Sequence, residues 1–100
     1  MDKREAINKV KAYKQLLKAH FSFENIYLFG SYANDTYKED SDIDVAIIVD
    51  HIDGDYFSVN PLLWRLRRQI DDRIEPILIE RDFDDADFYG EIRKHGIKIT

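Results

Sequence analysis

"LFGSYANDTYKEDSDIDVAIIVD", residues 28–50, is the stretch that decides the fold. It leaves one apolar run, turns at Gly30-Ser31, and ten residues later reaches Asp42-Ile43-Asp44 and a second apolar run. In "DIDVAIIVD" (42–50), Ile43, Val45, Ile47 and Val49 fall on one side while Asp42, Asp44, Ala46 and Ile48 fall on the other. That alternation is the period of a β-strand. Upstream, "NIYLF" (25–29) is short, aromatic and β-branched, and predicts a strand that ends at Gly30. Ser31 is suited to cap a short helix over 31–37.

Working outward, residues 2–20 predict an amphipathic helix, because Ala6, Val10, Tyr13, Leu17 and His20 recur at spacings of four and three. His20 closes that stripe and reads as a helix-end or core-margin histidine rather than a ligand. "HIDGDYFS" (51–58) carries Asp-Gly turn chemistry. Asn60-Pro61 predicts a helix start, with Leu63, Leu66 and Ile70 facing inward as far as about Asp71. "RIEPILIE" (73–80) predicts a third strand, and Pro76 within it points to a sheet edge or an irregular ladder at that point. "DDADFYGEIRKHG" (84–96) predicts a last helix stopped at Gly96, and "IKIT" (97–100) a short final strand. The order α-β-α-β-α-β-α, with a first connection too short for a crossover helix, implies an α/β (α+β) fold: a small mixed sheet flanked by helices.

The 100 residues fit one domain, 1–100. A hydrophobic share of 44% with 13% aromatics excludes a disordered chain. The absence of cysteine excludes disulfides and thiolate metal sites. The N-terminal segment is charged throughout, unlike a signal peptide, and no apolar run approaches the roughly 20 residues of a membrane span. A cytoplasmic protein with no membrane partner is expected. The net charge of −5 argues against direct binding of nucleic acid, whose phosphates it repels.

Two aspartates at i and i+2 of a strand project to the same side, and their repulsion is relieved by a cation. All-oxygen donors favour magnesium or manganese. A strand-Gly-Ser turn lets the chain approach phosphate oxygens closely. Each signal alone is common in proteins that bind neither. Together they supply the two halves of a phosphoryl- or nucleotidyl-transfer site. A third carboxylate is expected from "RIEPILIE", where Glu75 opens an otherwise apolar strand and Glu80 closes it, so Glu75 is favoured. Trp64, Phe57 and Tyr56 read as packing or partner contacts, and Arg65, Arg67 and Arg68 as a solvated helix face.

Gly30-Ser31, ten residues, then Asp42-x-Asp44, within "YLFGSYA" and "DSDIDVAIIV", resembles the signature of the polymerase β-type nucleotidyltransferase superfamily. The chain is most similar to its small, single-domain members, the minimal nucleotidyltransferases, and "Ile74-Glu75-Pro76-Ile77" matches the strand of the third acid. The resemblance implies that Asp42, Asp44 and Glu75 are catalytic and hold two Mg²⁺, with Mn²⁺ an alternative. It implies that Gly30 and Ser31 bind the nucleotide and that ATP is the substrate. It further implies transfer of AMP to a protein hydroxyl: such proteins commonly act as antitoxins, adenylylating a tyrosine of a HEPN-domain RNase toxin. Two other readings stay open. One is a non-catalytic module that neutralises its partner by contact. The other is a small-molecule transferase of aminoglycoside type, working as a homodimer.

Overall fold

The computed structural model describes residues 1–50, 56–84 and 86–100, with the side chains of Tyr56 and Phe57 excepted. The Asp-Gly turn expected at 51–58 falls largely outside them. Helix α1 spans Lys3–Lys18; the Asp2 carboxylate caps it by accepting from the Glu5 amide at 2.8 Å. Ala6, Val10, Tyr13 and Leu17 of the expected stripe are all buried, and His20 lies beyond the helix, exposed. Strands β1 (Asn25–Phe29), β2 (Ile43–Val49), β3 (Ile74–Glu80) and β4 (Ile97–Lys98) form one sheet in the order β3-β2-β1-β4. β1 runs antiparallel to β2 and β4, whereas β2 and β3 are parallel. Pro76 is tolerated because β3 is an edge strand, where a missing N–H need break no ladder.

Three helical expectations are corrected. The helix expected at 31–37 is only a 3-10 turn, Gly30–Tyr32, and Ser31 makes no cap there: Phe29 holds that position without a side-chain bond. Asp35, at φ 59°, is left-handed and ends any helical run. Helix α2 spans Tyr56–Leu66, so Asn60 and Pro61 lie inside it rather than at its start. Burial of Leu63 and Leu66 against the sheet offsets the hydrogen bond that Pro61 forfeits. A 3-10 turn, Arg67–Gln69, follows, and Ile70 is only half-buried. Helix α3 is Phe88–His95, four residues shorter at its start than expected. Asp84 stays outside and its carboxylate accepts from the amides of Phe88 and Tyr89, at 3.1 and 2.7 Å. Gly96 does terminate it.

The two faces of the sheet are unequally covered. Helices α1 and α2 pack on Ile26, Leu28, Ile43, Val45, Ile47 and Ile74, all fully buried. The Tyr13 hydroxyl donates to the Leu63 carbonyl at 2.8 Å and joins the two helices. On the opposite face Tyr27, Ala46, Ile48 and Ile79 form a smaller cluster with Ile92 of α3. That cluster stops short of the end of the sheet where β2 and β3 begin. Among the described residues no helix is long and apolar enough to cross a membrane.

Candidate active site

Alternation along β2 puts Asp44 on the sparsely covered face, strand pairing supplies its neighbours, and Asp42, just before the strand, lies close enough to act on both Asp44 and Glu75. Asp44 stands opposite Phe29 in β1 and opposite Glu75 in β3. In a parallel pair, residues in register share a face, so Asp44 and Glu75 lie side by side at the mouths of two strands. Glu80, the other acid considered, pairs with Val49 at the far end, about 17 Å along the strand. The structure therefore brings Asp42, Asp44 and Glu75 together and leaves Glu80 apart.

Gly30 follows Phe29 and comes back over Asp44. It has φ +75°, and a Cβ there would lie 2.2 Å from Asp44 Oδ2. Conformation and space both demand glycine. Ser31 follows in the same turn, half-buried. Tyr32 is fully buried and stacks on Tyr37 with centroids 4.6 Å apart, which anchors the turn to the core. Between Ser31 and Asp42, Lys38 is the one basic residue. Its amide donates to Ser41 Oγ at 2.7 Å, closing a turn just before Asp42.

The electrostatics follow from this crowding. Burial, then the Glu75 charge and then that of Asp42, raise the Asp44 pKa to about 6. Glu75 is also raised, by burial and by the charge of Asp42 and a hydrogen bond with it, while Arg67 opposes the shift. A cavity of about 430 Å³ adjoins these acids, lined by Phe29, Asp44, Asn60, Trp64, Glu75, Pro76 and Ile77. Among the described residues no basic side chain lines it. Among the described residues no three Asp, Glu, His or Cys groups are already drawn into a metal cage. What the site offers is oxygen donors from two adjoining strands, with mutual repulsion that a divalent cation would relieve. That donor set fits Mg²⁺ or Mn²⁺.

Residues beyond the sequence expectation also shape the site. Asn60 was expected to cap a helix; it lines the cavity instead, as do Trp64 and Phe29. Arg67 is no solvated residue: it is half-buried, donates to the carbonyls of Asp72 and Ile74, and lies 4.6 Å over the Trp64 ring. It thus holds the backbone immediately before Glu75. Nothing in the helical spacing marks this role, because it depends on the chain turning back after α2. Arg65 and Arg68 are exposed, as expected.

A family model described as polymerase beta, nucleotidyltransferase, matches residues 11–99. Among solved structures, the chain is similar to a crystal structure of a protein from Sulfolobus solfataricus provisionally named a nucleotidyltransferase. The two share 21% identity over 96% of this chain and 80% of that one, with a TM-score of 0.68. At that identity the likeness shows the fold. No protein of curated function matches the chain.

Proposed function

Since the chain belongs to the polymerase β-type nucleotidyltransferase family, of the minimal kind, we propose that it transfers AMP from ATP to a protein hydroxyl. The observation that carries this reading is the register that sets Asp44 between Gly30 and Glu75. It gathers a phosphate-approaching turn and three carboxylates at one point, which is what nucleotidyl transfer needs.

Asp42, Asp44 and Glu75 would hold divalent ions, whose chemistry is to neutralise the triphosphate and the charge that builds up during displacement. Gly30 keeps the space over the Asp44 carboxylate free, and Ser31 offers a hydroxyl donor to a phosphate oxygen. Glu75, whose pKa is raised by burial and by Asp42, stands beside the cavity and is suited to accept the proton of the attacking hydroxyl. The acceptor oxygen bonds to the α phosphorus as the bond to the bridging oxygen breaks and pyrophosphate leaves. The cavity beside Glu75 gives the acceptor its place. Its aromatic, aliphatic and acidic lining suits a polypeptide side chain better than a nucleic-acid backbone.

The acceptor that the resemblance suggests is a tyrosine of a HEPN-domain RNase toxin, with the chain as antitoxin. The test is transfer of label from ATP carrying labelled α-phosphate, with Mg²⁺, using the protein co-expressed with its genomic neighbour. Label is expected on a tyrosine of the partner, and its loss by at least about 10³-fold in Asp42→Asn/Asp44→Asn. No label with a partner still bound would leave a contact antitoxin. Label on an aminoglycoside or other small molecule would move the protein to that class.

A further inference from the structure

Four large apolar side chains stand exposed among the described residues: Trp64 (37%), Ile77 (37%), Phe83 (71%) and Phe88 (38%). They are not scattered. Trp64 and Ile77 line the cavity at Asp44 and Glu75. Ile77, Phe83 and Phe88 line a second hollow of about 280 Å³. Ile77 belongs to both, so the two form one track from the carboxylates along β3 to the start of α3. Phe29 and Phe88 meet edge to face at 5.9 Å and form part of its floor. A continuous apolar surface of this kind marks an interface, whereas isolated exposed side chains do not.

The charged lining is acidic. Among the described residues, the charged side chains that line the two hollows are Asp44 and Glu75 at one end and Glu80 and Asp84 at the other, while Arg67 lies over Trp64 and is tied to the carbonyls of Asp72 and Ile74. We propose that this track docks an extended segment of a partner polypeptide, one that alternates apolar and basic side chains, and leads its hydroxyl to Glu75. The inference deepens the transferase reading and rests on it for the role of the hydroxyl. Apolar side chains fill the two hollows, and Lys or Arg side chains meet the acidic rim, which sets register and on-rate. Nucleic acid is disfavoured because its phosphates would face these carboxylates. A second copy of the chain is disfavoured too. Five of its lysines lie on α1, whose apolar stripe is already buried, and among the described residues its large exposed apolar side chains belong to this same acidic surface, which would meet itself with like charge.

The experiment uses two fluorescein-labelled 14-residue peptides, designed with Leu and Tyr alternating either with Lys and Arg or with Glu and Asp. Binding is read by anisotropy without nucleotide or metal, on the parent, Phe83→Ser and Glu80→Gln. Both substitutions are remote from Asp42, Asp44 and Glu75, and circular dichroism checks that the variants fold. The basic peptide is expected to bind at least about tenfold more tightly than the acidic one. Each variant should weaken it about fivefold. Equal binding of the two peptides, no binding of the basic one, or binding unchanged by Phe83→Ser would overturn the proposal. So would self-association of the parent abolished by Phe83→Ser, or oligoadenylate competing for the track. Docking that stands while no label is ever transferred would end the transferase reading and leave this surface in place.

Discussion

On one face of the sheet Ile43, Val45 and Ile47 lie fully buried under α1 and α2; on the other, Asp42 and Asp44, each a single residue away, stand at an open strand mouth. Asp44 lies on the same strand as the buried set, with Asp42 just before it, and the two sets differ in parity. The covered face binds the fold together through apolar contact. The open face crowds like charges together and leaves its aromatic groups partly wet. Two aspartates bring out the same contrast. Asp71, on the α1 side, accepts from Arg73 and Lys9, and these partners hold its carboxyl well below the usual range. Asp44 has acids for neighbours, and its pKa rises to about 6. One carboxylate is satisfied by cations within the chain, and the other is crowded by like charge.

The sharpest way to break this comparison is to damage one face and read the other. Ile47→Ala removes a fully buried side chain from the covered face and should cost about 2–5 kcal/mol by chemical denaturation. Metal binding per folded molecule should stay unchanged, and a parallel loss of binding would show that the two faces are not separable. Gly30→Ala tests the seam between turn and strand. A left-handed backbone costs roughly 1–2 kcal/mol without glycine, and the Asp44 contact adds to it. The loss of stability should be smaller than for Ile47→Ala, yet metal affinity should fall, because the new Cβ displaces the carboxylate.

The smallest effect is in pH dependence, and its sign separates the two aspartates. In the metal-free protein, Asp44 has a folded pKa above its unfolded value, so its ionised form opposes folding above about pH 6. That penalty fades as pH falls through 6 towards the ordinary carboxylate range. Asp44→Asn should therefore raise Tm by a few degrees at pH 7.5 in EDTA, and the gain should shrink on acidification. For Asp71 the sign is reversed: its stabilisation is present at neutral pH and is lost as pH falls below the unfolded carboxylate's range. Asp71→Asn should lower Tm at pH 7.5. Equal signs for the two variants would contradict the contrast drawn between them.

Much of this was legible from residue pattern. The parity of "DIDVAIIV" placed the aspartates opposite the core, the stripe from Ala6 to Leu17 predicted the buried side of α1, and Pro76 marked the edge strand. The preference for Glu75 over Glu80 agrees with the β2–β3 register. What stayed hidden depends on long-range geometry. Asn60-Pro61 looks like a helix start because local chemistry favours it, whereas α2 reaches back to Tyr56 with Val59 packed against the core, a long-range contact that local chemistry does not reveal. Arg67 looks like surface because its partners, the carbonyls of Asp72 and Ile74, come into reach only once the chain reverses. The track from Trp64 to Phe83 joins residues from α2, β3 and the segment before α3, which no single-sequence period connects.

The central claim is that the register of β1, β2 and β3 builds one cation site from Asp42, Asp44 and Glu75. Paramagnetic broadening by Mn²⁺, followed residue by residue in amide NMR spectra, tests it directly. The chain carries its own control in Asp82, Asp84 and Asp87, which follow the other end of β3. Broadening should appear first at Gly30, at 42–44 and at Glu75, and should vanish there in Asp42→Asn/Asp44→Asn. Broadening that begins at 82–87, or spreads evenly over the acidic surface, would contradict the account.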